Sequence, residues 1–249
     1  MRFVVILKQI PDDSIKDEYQ DVDQLNDSDK NVIKEALDLR DRYGGTVDVI
    51  GFGPLSAENV MKETLTYGID DAFLISDPQF ADMDVSQVAK IVAAVIKKFA
   101  PYDLVLCGRQ AIDGDSAHMT SCALEIPLIA YSDEITEMKD GSVFATCMGD
   151  QMAYKVEAKT PAMILSIREK NKNRFPSVPD IMKTYDGTYK TKILTNEDLN
   201  LSVTKRKVTQ LRKYEVKSSK QQKLVMIGGK DEEEKATQIL QLLKQKSVI

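Results

Sequence analysis

The sequence is poor in the residues that build metal sites and disulfide frameworks. It contains no tryptophan, one histidine (His118) and three widely spaced cysteines. Because no two cysteines form a CxxC pair, neither a zinc site nor a disulfide framework is expected. Free thiols are typical of a reducing compartment, so the composition predicts a cytoplasmic protein.

Long apolar runs are also missing from the 249 residues. A membrane-spanning helix needs about 20 consecutive apolar residues, and no segment approaches that length. The apolar run before Lys8 is too short for the core of a signal peptide and is interpreted as a buried strand. The chain is 43% apolar, which is enough for a packed core.

The net charge of −5 excludes a general nucleic-acid binder. The charge is unevenly distributed, however. Residues 11–29 contain eight acids and one lysine, whereas residues 203–223 contain eight basic residues and one glutamate. The basic segment is interpreted either as a tail that docks on an acidic surface or as a solvated linker.

Alternation of strand-like and helix-like patterns predicts the fold of the first 130 residues. Short apolar runs indicate strands that are covered on both faces, and the stretches between them carry an apolar face at helical spacing. The predicted strands are 3–7, 46–50, 72–75, 104–107 and 128–130, and the predicted helices are 29–43, 56–67, 85–99 and 116–124. This order indicates an α/β fold with a doubly wound, mostly parallel sheet.

The pattern changes in the second half of the chain. Three short segments are predicted to extend the sheet with antiparallel strands: 143–146, 152–157 and 163–167. From residue 191 the chain shows little periodicity until an amphipathic helix over 231–245. We therefore divide the chain into an α/β domain, 1–190, and a C-terminal arm and helix, 191–249, that packs on a partner chain.

The segment CGRQAIDGDSAHM, at the end of the fourth strand, carries the clearest functional signal. Gly108 follows a buried strand, where a missing side chain lets the backbone approach a ligand closely. The next helix offers free N–H groups and a positive dipole end, both of which suit a phosphate. A tight strand–helix turn with an aspartate cap explains the pattern equally well. The sequence contains neither a GxGxxG fingerprint nor a P-loop.

Three further segments are expected at the same edge of the sheet, where ligands of doubly wound folds bind. Lys8 is either a phosphate ligand or a surface lysine. Phe52 lies between two glycines, which either admit a ribose or base or form a strand-ending turn. The run NDSD at 26–29 is rich in capping residues, and Ser28 or Asp29 is expected to cap the first helix.

Taken in order, these segments resemble the β subunit of electron transfer flavoproteins. The resemblance is carried by VVILKQIPDD, NDSDKNVIKEALDLRD, IGFGP, ETLTYGIDDAFLISD, LVLCGRQAIDGDSA and NRFPSVPDIMK. It covers about residues 1 to 185, and GRQAIDGDSA is its most specific part. It implies a fold of the adenine nucleotide α-hydrolase-like type.

The resemblance implies a heterodimer with an α subunit, whose FAD passes electrons to a flavin dehydrogenase such as an acyl-CoA dehydrogenase. It also implies an adenine nucleotide on this chain, which is a structural AMP in respiratory members. In electron-bifurcating members it is a second FAD, which takes hydride from NADH and splits the electron pair. No side chain is expected to act as a proton-transfer catalyst, because a flavin supplies the hydride chemistry.

The residues that the resemblance assigns fall into two groups. The nucleotide contacts are Ile6, Lys8, Asn26, Asp27, Ser28, Asp29, Phe52, Gly108, Arg109, Gln110, Ala111, Ile112, Asp113, Gly114, Asp115, Ser116, Ala117, His118 and Met119. The partner-binding residues are Arg174, Val178, Pro179, Ile181 and Met182, within a recognition loop over 168–183.

Small residues in the nucleotide segment favour FAD over AMP. Gly114 and Ala117 stand where AMP-binding members have larger residues, which leaves space for the longer pyrophosphate and ribityl chain. The segment Cys147–Gln151 departs from the family's arginine-acid-glycine pattern. An AMP-binding structural subunit is the alternative. A nucleotide-binding signalling module, which would form a homodimer without flavin, is a third.

Overall fold

A computed structural model describes residues 1–7, 25, 27–81, 83–108, 116–167, 174–201 and 226–246. The strands are β1 (Arg2–Ile6), β2 (Thr46–Phe52), β3 (Asp71–Ile75), β4 (Leu104–Gly108), β5 (Leu128–Lys139), β6 (Ser142–Met148), β7 (Ala153–Lys159), β8 (Ala162–Ser166) and β9 (Thr191–Leu194). The α-helices are α1 (Asp27–Tyr43), α2 (Glu58–Leu65), α3 (Val85–Lys98), α4 (Ser116–Leu124), α5 (Val178–Tyr185), α6 (Asn196–Leu199) and α7 (Glu232–Gln245).

The described strands form one sheet with the spatial order β7-β6-β5-β8-β4-β1-β2-β3-β9. Every pairing from β5 through β8 and β4 to β9 is parallel, whereas β5, β6 and β7 pair antiparallel. From β1 the chain adds β2 and β3 on one side, and β4 lies on the other side. The predicted doubly wound, mostly parallel α/β fold is therefore confirmed.

Helices cover both faces of the parallel part of the sheet. Apolar residues of α1 and α2 pack in one core, and those of α3 and α4 pack in a second core on the opposite face. This explains the continuous apolar run of β1, because Phe3 and Val5 belong to the first core and Val4 and Ile6 to the second.

Two predictions for the second half of the chain are corrected. β8 pairs parallel with β4 and β5, although the sequence indicated an antiparallel extension. Thr191–Leu194, expected in the arm, form β9 and pair parallel with β3. The chain divides into two compact units, Met1–Val208 and Thr209–Ile249. The packing of the C-terminal arm and helix on a partner chain stays a prediction.

The ends of the helices follow local capping chemistry. α1 begins at Asp27, so Ser28 and Asp29, one of which was predicted to occupy the N-cap position, lie in its first turn. Asp84 caps α3 through a reciprocal capping box with Gln87. In the second unit α7 begins after Asp231, whose carboxylate accepts a hydrogen bond from the Glu234 N–H at 2.8 Å. The predicted C-terminal helix is confirmed.

Two adjacent glycines end α1 and lead into β2, and each is required for a different reason. Gly44 has a φ of +74° with no atom near the position of a Cβ, whereas Gly45 has a φ of +113°. A Cβ on Gly45 would overlap the carbonyl oxygen of Met1. That oxygen accepts the hydrogen bond from Thr46 N–H, at 2.9 Å, that starts the pairing of β1 with β2.

We predict that Gly45→Ala destabilises the protein more than Gly44→Ala. Gly44→Ala adds left-handed backbone strain of about 1–2 kcal/mol. Gly45→Ala adds similar backbone strain and also an overlap with the backbone of Met1. Its free energy of unfolding should therefore fall by on the order of 3 kcal/mol or more. Chemical denaturation of both variants measures the difference. Equal losses would contradict the contact between Gly45 and the Met1 carbonyl group.

Candidate functional site

The carboxyl ends of β1 and β4 lie side by side where the strand order reverses. Ile6 and Cys107 are register partners at this edge. α1 and α4 cover opposite faces of the sheet, and each begins near this edge, because each follows β1 or β4 in the chain. Helix N-termini present free N–H groups and a positive dipole end, so the edge is favourable for an anion.

A cavity of about 220 Å³ lies at this edge, on the face covered by α3 and α4. Its lining comes from four strands, two helices and the segment before α3: Ile6, Leu7, Phe52, Met83, Val85, Val88, Ala89, Val92, Cys107, Ala117, Thr120 and Met163. Among the lining residues that the structure describes, Thr120 carries the one hydroxyl group. Pockets that enclose a drug-sized ligand measure roughly 300–1,000 Å³, so this cavity suits one flat ring system rather than a whole dinucleotide.

Three predicted nucleotide contacts meet at the cavity. Ile6 ends β1, Phe52 ends β2, and Ala117 lies in the first turn of α4 with 2% of its surface exposed. The ring of Phe52 stacks on Phe80 with centroids 6.0 Å apart, and this contact orients it. The topology therefore brings together residues from three distant parts of the sequence.

Gly108 contacts the first turn of α1. A Cβ at this position would overlap Ser28 Oγ and would lie 3.1 Å from the Ser28 carbonyl oxygen. A side chain here would force the Ser28 hydroxyl to rotate and the two backbones to move apart by a few tenths of an ångström, so glycine favours the close packing of α1 on the end of β4. The sequence predicted the close approach of a ligand at Gly108. The group that approaches it in the structure is Ser28, and the contact of Gly108 with a nucleotide stays a prediction.

The other predicted nucleotide contacts that the structure describes lie on α1 and α4. Asp29 is 2% exposed in the first turn of α1, where the helix dipole stabilises a carboxylate. His118 is half-buried on α4, and Met119 on the same helix is 41% exposed. Neither of these two residues of α4 lines the cavity.

Several predicted contacts lie outside the described residues. They are Lys8, Asn26 and residues 109–115 (Arg109, Gln110, Ala111, Ile112, Asp113, Gly114 and Asp115), together with the side chains of Asp27 and Ser116. Their assignment as nucleotide contacts stays a prediction.

One wall of the cavity was not predicted from the sequence. Val85, Val88, Ala89 and Val92 lie on α3 and recur at the spacing of one helical face. This apolar pattern predicts the helix, but the same pattern is typical of ordinary core residues. Sequence periodicity does not distinguish a residue that lines a cavity from one that packs against the sheet.

The predicted partner-binding residues lie on a separate surface. Residues 178–185, most of them expected in a loop, form α5, which Ser177 caps by accepting a hydrogen bond from the Asp180 N–H at 3.1 Å. Four apolar side chains of α5 are exposed and recur at i, i+3, i+4 and i+7: Val178 (69%), Ile181 (36%), Met182 (64%) and Tyr185 (75%). Phe175, which precedes the helix, is 82% exposed.

Two members of this surface, Phe175 and Tyr185, were not predicted from the sequence. Tyr185 joins the surface only because the segment is helical, and Phe175 lies outside the helix. Pro179, also predicted, occupies the first turn of α5, where its missing N–H costs no hydrogen bond. Arg174 was also predicted to bind a partner, but it binds within the chain. Its guanidinium lies 2.8 Å from the Asp41 carboxylate on α1.

In the part of the chain that the structure describes, no cluster of three or more histidine, cysteine or acidic side chains has the arrangement of a metal site. The helices described here are all too short or too polar to cross a membrane.

Comparison with known proteins identifies the class to which this fold and site belong. Residues 16–193 match the family model of the electron transfer flavoprotein domain. The chain is 35% identical over 216 residues to the electron transfer flavoprotein subunit beta of Thermoanaerobacterium thermosaccharolyticum, covering 81% of each chain. It is 34% identical over 218 residues to the caffeyl-CoA reductase-Etf complex subunit CarD of Acetobacterium woodii, again covering 81% of each.

A third relative is the acryloyl-CoA reductase electron transfer subunit gamma of Anaerotignum propionicum, which is 33% identical over 200 residues and 74% of each chain. The chain therefore belongs to the electron transfer flavoprotein family. Within this family it belongs with the β subunits, which act in electron transfer. The resemblance carried by the sequence segments is confirmed.

We predict that Gly108→Ala weakens nucleotide binding by displacing the first turn of α1 from β4. Removing the hydroxyl in the double variant Gly108→Ala/Ser28→Ala relieves the most severe overlap and restores part of the affinity. Nucleotide content per purified chain, compared among the wild type, both single variants and the double variant, measures this coupling. If Gly108→Ala and Ser28→Ala change the nucleotide content additively, the contact between the two residues is contradicted.

Proposed function

We propose that this chain is the β subunit of a heterodimeric electron transfer flavoprotein that binds FAD. It passes electrons from NADH to the flavin of the α subunit and on to a partner dehydrogenase, by flavin-based electron bifurcation in the cytoplasm. The observation that carries this proposal is the apolar cavity at the strand-order reversal, bordered by Ile6, Phe52 and Ala117. Its position matches the rule for ligands of doubly wound sheets.

The residues around the cavity suit the parts of an adenine nucleotide. The apolar lining around Phe52 excludes water from one ring system, and the starts of α1 and α4 stabilise negative charge on phosphates. Asp29 is buried in the first turn of α1, and its contact with the nucleotide is proposed from the family resemblance alone. FAD, when bound, supplies hydride acceptance and one-electron transfer, and the chain supplies position and electrostatics.

The choice between FAD and AMP depends on space beside the cavity. The cavity fits one ring system, which both nucleotides carry. Ala117 is buried at the start of α4 and is small, as is Gly114 in the sequence, which supports the longer ligand. An AMP-binding structural β subunit is the alternative, and its test follows below. Family membership disfavours the signalling module.

Two further surfaces are proposed to bind two different partner proteins. We propose that the exposed apolar face of α5, at the end of the 168–183 segment, docks on a flavin dehydrogenase of the acyl-CoA dehydrogenase class. Two relatives are named as parts of caffeyl-CoA and acryloyl-CoA reductase systems, which supports this class. The arm and α7, whose Ile239 and Leu240 are exposed, are proposed to pack on the α subunit.

We predict that acid extraction of the purified α–β pair releases two FAD per pair. One FAD with one AMP would support the structural alternative, and release of a single nucleotide would contradict both. Val88→Trp places a large ring in the 220 Å³ cavity, so it should reduce the yield to about one FAD per pair. Lys90→Trp adds the same ring to the exposed face of α3 and should leave the yield unchanged.

We predict that Val178→Asp impairs electron transfer to the partner dehydrogenase by about tenfold in kcat/KM, because it places a charge in an apolar interface. An acid in the first turn of α5 is favourable for the helix, so the substitution should not unfold it. Val178→Leu keeps the surface apolar and serves as the matched control. Unchanged kcat/KM in the aspartate variant would rule out this docking face.

A further inference from the structure

Arg174 sits between the α5 segment and the C-terminal half of α1. Its guanidinium lies 2.8 Å from one Asp41 carboxylate oxygen and 3.9 Å from an Asp38 oxygen. Asp38 and Asp41 are three residues apart on α1 and therefore share a face of that helix. About a third of the Arg174 side chain is exposed, so the residue binds within the chain instead of projecting freely from it.

The first turn of α5 also lies close to the turn that follows α2. The carboxylate of Asp180, in the first turn of α5, lies 3.3 Å from the position that a Cβ on Gly68 would occupy. The Gly68 carbonyl oxygen accepts a 2.6 Å hydrogen bond from Arg40, which also pairs with Asp70. The segment that begins at Arg174 is thus bound to α1 by an ion pair and passes close to the turn after α2.

The far end of the segment is held by different interactions. Tyr189 packs against the apolar core, and β9 pairs with β3 directly afterwards. Between these two attachments α5 buries one residue, Thr184, whose hydroxyl donates to the Asp180 carbonyl oxygen at 2.8 Å. Because α5 itself buries so little, its orientation depends on what holds its two ends.

We propose that Arg174 is a positioning residue. Its ion pair with Asp41 and Asp38 fixes the exposed apolar face of α5 in the orientation that the dehydrogenase meets. This inference rests on the proposed docking function of α5 and assigns Arg174 to the support of that surface rather than to contact with the partner. A face that is already ordered loses less conformational entropy when it binds.

The test uses the purified α–β pair with Arg174→Leu, Arg174→Lys, and the charge swap Arg174→Asp/Asp41→Arg. The control is Lys62→Leu, which breaks an ion pair of similar exposure, 3.0 Å from Glu58 on α2. Hydrogen exchange of residues 178–185 is measured without a partner. The KM and kcat for a purified acyl-CoA dehydrogenase from the same organism are then measured at low and high salt.

Loss of an exposed ion pair of this kind changes an equilibrium constant by about twofold to fivefold. Arg174→Leu should speed exchange of α5 and raise KM by this factor at low salt, with kcat unchanged. The charge swap should restore both quantities, Arg174→Lys should restore part, and the effect should shrink in high salt. Lys62→Leu should match the wild type.

Two results separate this inference from the function on which it rests. Unchanged exchange of α5 in Arg174→Leu overturns the positioning role, whatever the kinetics. Faster exchange with unchanged KM overturns the docking assignment of α5, while the ion pair still orders the helix. A lowered kcat with unchanged KM also overturns the proposal, because orientation of a docking surface acts through binding.

Discussion

The contact between Gly108 and Ser28 is the constraint on which the nucleotide site depends. It brings the first turn of α1 against the end of β4, although these residues lie 80 positions apart in the sequence. The parallel pairing of β1 with β4 then sets Ile6 beside Cys107 at the same edge. A Cβ at position 108 would force the Ser28 hydroxyl to rotate and would press on the backbone of α1. The missing side chain therefore favours close packing of the α1 start on this edge.

Helix α1 connects the two proposed functional surfaces. Its first turn borders the nucleotide edge, and Asp38 and Asp41 near its other end hold the segment that carries α5. At about 1.5 Å per residue, Ser28 and Asp41 are roughly 20 Å apart along the helix. The docking face is thus supported by the same rigid element as the nucleotide site but is well separated from it.

Much of the fold was predictable because β1 to β4 and α1 to α4 follow two simple periodicities. Strands covered on both faces appear as continuous apolar runs, and the helices between them carry one apolar face. β9 was missed because its four residues are partly exposed and show no alternation. The orientation of β8 was predicted wrongly because an apolar run does not reveal the direction in which a strand pairs.

The candidate site was predictable to a smaller extent. Gly108, Ile6, Phe52 and Ala117 could be assigned because each lies at a strand end or helix start, or matches a family motif. The α3 wall of the cavity could not, since its valines have the pattern of core residues. Arg174 was expected to contact a partner, but it forms an ion pair with Asp41. These residues are 133 positions apart, and local sequence patterns do not predict contacts over such a separation.

An experimental electron-density map of the purified α–β pair tests the central claim most directly. It should show an adenine ring in the cavity beside Phe52, with phosphates near the starts of α1 and α4. A nucleotide bound elsewhere on this chain, or a cavity filled by the chain's own side chains, would contradict the account.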